Sequence, residues 1–134
     1  MAFGTATFLT NYGKGLTASQ VNGTTTTPPK FIAIGTGATG AARTAVAADS
    51  ILSTEYVAVA RATGTTSIVT TTQTGDTFQT IGTITAAANI AVDEAGLFTV
   101  VTSSTGTMVL SSTFPVVNLL TGDSIQITAK IQYT

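Results

Sequence analysis

Between Ser124 and Tyr133 the chain alternates without interruption: Ile125, Ile127, Ala129, Ile131 and Tyr133 are apolar, and Gln126, Thr128, Lys130 and Gln132 are polar. A period of two is the mark of a strand with one buried face, and the turn Thr121-Gly122-Asp123 leads into it. Upstream, 107–113 and 96–101 read as two strands joined by Ser103-Ser104-Thr105-Gly106, a hairpin connection with glycine where positive φ is needed. Phe114-Pro115 is expected to break or edge a strand, because proline has no amide donor. Segments 76–85, 66–72, 56–62 and 30–34 add further short runs rich in β-branched residues. Seven or eight strands separated by turn signals predict an all-β fold, an antiparallel β-sandwich or jelly-roll-like arrangement.

Two stretches depart from the alternation. Residues 41–55 are rich in alanine and predict a short helix or a packed loop. Residues 1–29 place Phe8, Leu9, Tyr12 and Leu16 at near-helical spacing before the polar run 22–27, which predicts an N-terminal arm or short helix able to contact a partner. The sandwich itself is expected to occupy 30–134 as one domain. Phe3, Phe8, Leu9 and Tyr12 are the candidate partner-contacting residues, since aromatic side chains combine large apolar area with specific geometry.

Composition narrows the chemistry. Of 134 residues 43% are hydrophobic, enough for one core, yet only 8% are charged, where a typical globular chain carries roughly 25%. Low charge with high apolar content opposes disorder. Histidine and cysteine are absent, which removes disulfides, thiolate nucleophiles, Cys/His zinc sites and the usual general base. Threonine, at 31 residues, supplies much of the polar surface. The net charge of -1 and five dispersed cations, Lys14, Lys30, Arg43, Arg61 and Lys130, give no basic patch for nucleic acid. No run approaches the length of a membrane span, and Met1-Ala2-Phe3-Gly4 lacks the features of a secretory signal, so synthesis in a cytoplasm is expected.

Gly35-Thr36-Gly37-Ala38-Thr39-Gly40 spells G-x-G-x-x-G, with Glu55 about 20 residues on. A dinucleotide site would need those glycines to open a helix facing pyrophosphate and would need crossover helices for a parallel sheet. Neither is predicted, so the motif reads as a Gly/Thr surface turn. Asp93 and Glu94 are adjacent, and neighbours on a strand point to opposite faces; they read as solvated-loop or ion-pair residues. No hydroxyl has an evident activating base, and no calcium-loop spacing occurs. The expectation is a protein without catalytic, cofactor or metal residues.

A series of segments adds to this. Leu9-Thr10-Asn11-Tyr12-Gly13-Lys14, 29–37 (PKFIAIGTG), 48–55 (ADSILSTE), Asp93-Glu94-Ala95-Gly96-Leu97-Phe98, Phe114-Pro115-Val116 and Gly122-Asp123-Ser124-Ile125 resemble small virion structural proteins of tailed bacteriophages. The resemblance spans most of the chain and carries no catalytic residue. It implies either a capsid decoration (cement) protein that clamps neighbouring subunits or a tail or fibre appendage. Its implied partners are the major capsid protein or other virion proteins and further copies of the chain, a trimer being one such arrangement. The implied location is the virion. The charge deficit agrees, since surfaces buried against neighbours lose charge; the eleven charges are then expected mainly at rims and loop tips. A carbohydrate-binding module is the alternative of another class.

Overall fold

The computed structural model describes residues 6–37 and 44–134, and Phe3, Arg43 and Ala38 to Gly40 lie outside them. Among the described residues eight strands and one helix follow in the order β1 (Ala6–Leu9), α1 (Asn11–Val21), β2 (Phe31–Gly35), β3 (Ala62–Thr63), β4 (Thr65–Val69), β5 (Thr77–Thr85), β6 (Ile90–Phe98), β7 (Met108–Leu119) and β8 (Ser124–Gln132). Five form one sheet in the order β1-β7-β6-β2-β3, three form a second in the order β4-β5-β8, and every pairing is antiparallel. The all-β sandwich expected from the alternation is the fold.

The core lies between the sheets. Ile84, Ile125, Ile127, Ala129 and Ile131 of the smaller sheet meet Ile32, Ile34, Val92, Leu97 and Leu110 of the larger. Strand β8 forms as its pattern predicts over Ser124–Gln132, with all four apolar residues from Ile125 to Ile131 buried and Gln126 and Lys130 exposed; Tyr133, expected on the buried face, lies beyond the strand and is 50% exposed. Its turn uses Gly122 at φ +90, a backbone conformation that L side chains rarely adopt. The chain passes from one sheet to the other through Gly64, between β3 and β4. A Cβ there would lie 2.4 Å from Thr80 Cγ2, so the crossing needs a residue without a side chain.

A second apolar cluster, Ala33, Leu52, Phe98 and Met108, lies on the opposite face of the five-stranded sheet. Residues 44–55 cover that face as a packed loop without a helix, resolving the choice left open for 41–55 in its described part. The loop is sewn to the sheet by hydrogen bonds from Met108 N to Ser50 O (2.8 Å), from Thr36 N to Thr54 O (3.0 Å) and from Ser111 Oγ to Asp49 Oδ2 (2.7 Å).

Three strand assignments change. The expected strand at 56–62 shrinks to Ala62–Thr63, because Tyr56 turns its hydroxyl to accept N–H groups of Ala87 and Ala88 at 3.1 and 3.0 Å and a Glu55–Arg61 ion pair closes the intervening loop. The strand expected at 96–101 runs instead from Ile90 to Phe98, so Asp93 and Glu94 belong to a strand flanked on both sides, not to a solvated loop; they are 1% and 0% exposed. Finally, Pro115 does not end β7. The pairing jumps from Val92↔Val117 to Glu94↔Thr113, and the extra residues, proline among them, form a bulge in which no ladder donor is needed.

Candidate interaction surface

The N-terminal candidates separate according to the strand they enter. On β1, Leu9 pairs with Leu110 and packs against the core, while Phe8, pairing with Ser111, turns to the other face and is 42% exposed. Thr10 then caps the helix: its hydroxyl accepts the Gly13 N–H at 3.0 Å, and its own N–H donates to Val109 O at 3.0 Å. That anchor fixes α1 against β7. Gly13 is the contact point, since a Cβ there would stand 2.4 Å from Val109 O. Tyr12, 40% exposed, lines a groove of about 460 Å³ with Gly15, Leu16, Ser19, Thr24 and Thr25. Thus Phe8 and Tyr12 are exposed, Leu9 packs against the core, and Phe3 lies outside the described residues.

The glycine motif has a packing role in its described half. A Cβ on Gly35 would be 2.6 Å from both Glu94 Oε1 and Thr54 O, and one on Gly37 would be 2.3 Å from Ser53 Cβ. These glycines let the covering loop close over the Glu94 carboxylate, whose Oε1 accepts the Thr54 N–H at 3.0 Å. Gly35 ends a strand that pairs antiparallel with β6, the reverse of the parallel arrangement that a dinucleotide fold requires.

Four charged side chains, Arg61, Glu55, Asp93 and Glu94, are withdrawn into the molecule. Arg61, read from the sequence as one of five dispersed cations, is 3% exposed. Its guanidinium donates to both Glu55 oxygens at 2.8 and 2.9 Å and to Val100 O at 3.0 Å, and it lies 3.6 Å from the centroid of the Phe98 ring. Glu55 in turn accepts the Ser104 N–H at 2.9 Å, tying the β6–β7 loop to the 55–61 loop. The expectation that charges sit mainly at rims is therefore corrected for Arg61, Glu55, Asp93 and Glu94. Glu55 and Arg61 satisfy each other directly, and Glu94 accepts the Thr54 N–H, which offsets the cost of burying these three.

Lys14, Asp123 and Lys130 stay exposed, and most of the remaining outer surface is polar without charge, or apolar. The outer face of the three-stranded sheet presents Ser67, Thr83, Thr85, Ser124 and Gln126, with Lys130 as its cation; Thr85 Oγ1 and Ser124 Oγ share a hydrogen bond of 2.7 Å. Across the molecule Ile51, Val57, Ile68, Val116 and Leu120 are each more than half exposed. Among the described residues no helix is long and apolar enough to cross a membrane, and no group of three or more acidic side chains is placed to hold a metal ion. Comparison with family models, with curated proteins and with solved structures finds no match to this chain.

Two carboxyls are held below their ordinary values. For Glu55, burial pushes the carboxyl up, but the hydrogen bond from Arg61, the Ser104 N–H and the guanidinium charge together outweigh it. For Asp76, the backbone N–H of Gln73 is the largest influence, and those of Thr72 and Thr71 add to it, so this carboxylate organises the turn between β4 and β5. A depressed folded-state pKa stabilises the fold above the unfolded-state value, and that contribution is lost as pH falls towards the folded one. The melting temperature is expected to hold from neutrality to about pH 5 and then to fall, as Glu55 and Asp76 pass their ordinary values of 4.5 and 3.8. Calorimetry across this range checks the sign. A melting temperature that rises on acidification counts against it.

Proposed function

We propose that the chain is a non-enzymatic virion structural protein that binds between capsid subunits and stabilises the assembled shell. The observation that carries this reading is that four charged side chains turn inward while large apolar side chains stay outside. Arg61, Glu55, Asp93 and Glu94 are spent inside the fold, while Phe8, Tyr12, Ile51, Val57, Ile68 and Leu120 are exposed. A free monomer ordinarily keeps mixed charge at its surface for solubility. A surface covered by neighbours has less need of it. The sequence resemblance to small phage virion proteins supports the same reading from a separate direction.

Stabilisation of this kind needs no bond chemistry. A ligand that binds the mature shell and not its precursor or its dissociated subunits lowers the free energy of the shell by RT ln(1 + [L]/Kd), about 2.7 kcal/mol per site at 100 Kd. Summed over the sites of a particle, a modest affinity becomes a large resistance to rupture. Particles made without this protein are expected to open at lower temperature and at low ionic strength, and addition of the purified chain is expected to restore them. Equal resistance of deficient and complete particles defeats the proposal. Labelling of the chain on the tail, instead of over the shell in many copies, would assign it to an appendage.

A further inference from the structure

The strand β4 bounds the three-stranded sheet, with β5 on one side and, among the described residues, no backbone hydrogen bond on the other. All five of its residues are at least partly exposed. Ile68 is the telling one. It stands opposite Phe78, which packs against the core, so its side chain leaves on the core side of the sheet, yet it is 74% exposed because the sandwich ends there. Edge strands are ordinarily blunted by lysine, proline or a bulge. From Ala62 to Gly75 this chain has no charged residue and no proline, and β4 pairs with β5 in unbroken register.

We propose that β4 is a self-association edge, at which two copies of the chain join their three-stranded sheets into one of six strands. The backbone requires the occupant to be a strand, and the neutral sequence Thr65-Thr66-Ser67-Ile68-Val69 makes a second β4 suitable, since like strands would meet without opposed like charges. Antiparallel pairing about a twofold axis uses the same edge of both copies and leaves neither open, so association closes at two chains. In full overlap Ser67 lies on the axis, Thr65 faces the partner's Val69, and Ile68 faces the partner's Thr66 with the partner's Ile68 on the diagonal, within reach of a long side chain. The contact covers the exposed isoleucine and the free amides together. Pairing at β8 instead would place Lys130 within the new contact.

The test is made on the purified whole chain, independently of any particle. Light scattering at about 100 µM, enough to populate a complex of micromolar Kd, is expected to give twice the monomer mass of 13.5 kDa. Ile68→Lys, at a position exposed enough to accept it in the monomer, is expected to return the mass to one chain while the circular dichroism spectrum is unchanged. The native sequence has no cysteine, so Ser67→Cys gives one thiol per chain, and a short bis-maleimide is expected to link two copies. Thr83→Cys, exposed on the same sheet but away from the edge, is expected to remain unlinked. A monomeric or trimeric mass overturns the proposal, and so does a dimer that survives Ile68→Lys or links equally well through Thr83→Cys.

Discussion

Replacing Arg61 by alanine is expected to cost about 3–5 kcal/mol of stability, the range for breaking a buried ion pair from one side. The magnitude follows from what is left behind. The Arg61 and Glu55 side chains are 1% and 6% exposed, so the variant retains a carboxylate that has lost its counter-charge and has little access to water. Val100 O loses a donor and the Phe98 ring loses the cation lying over it, so three segments loosen together: the 55–61 loop, the β6–β7 loop and the outer face of β6. Arg61→Lys should recover little, because an ammonium cannot reproduce the two-pronged contact with Glu55. The double variant Arg61→Met, Glu55→Leu should recover most of the loss, since it removes both charges and retains volume. Urea denaturation measures all three. A loss below about 1 kcal/mol for Arg61→Ala, the value of an exposed pair, would mean that water reaches the site and that the pair is not holding these loops.

Why the sequence did not announce this cluster is a matter of distance along the chain. Glu55 and Arg61 are six residues apart in a segment whose Val57 and Val59 imitate strand alternation, and Ser104 lies 49 residues from Glu55. Only the sheet register brings them to one place. Strand β8 was legible because one of its faces is wet, which separates Ile127 from Gln126 and Lys130. Strand β6 was not, because it lies between β2 and β7 and is covered on both faces, so residues 92–98 are all buried and no alternation survives. Two carboxylates in such a strand look like a loop until their enclosure is seen. For the surface candidates, near-helical spacing grouped Phe8, Leu9 and Tyr12, but Thr10 caps the helix between them. Leu9 therefore obeys the strand rule and turns inward, while Phe8 turns outward. The open edge at β4 left its trace as a lack of charge over 62–75, which becomes informative only when that segment is known to have one neighbouring strand.

Gly35→Ala is the second substitution with a large expected effect, and it separates a packing role for the glycine motif from a ligand-binding one. The added Cβ would meet Glu94 Oε1 and Thr54 O, each at 2.6 Å, far inside ordinary contact. Neither obstacle can swing aside cheaply. Thr54 O is held by the Thr36 N–H at 3.0 Å, the Thr54 N–H is held by the same Glu94 oxygen at 3.0 Å, and the Glu94 side chain is fully buried. Strand β2 cannot retreat either, since it is hydrogen-bonded to β6 along its whole length. Overpacking of a closed site costs about 1–3 kcal/mol, and the upper end is expected here because one obstacle is backbone. Gly15→Ala supplies the control within the same molecule: its Cβ would meet nothing within 4 Å on the exposed side of α1, so the helix should gain about 0.5–1 kcal/mol from the better helix former. The two substitutions add the same methyl group and should move the urea midpoint in opposite directions. If Gly35→Ala leaves the midpoint where it was, the covering loop does not close on Glu94 as described, and the glycines need another explanation.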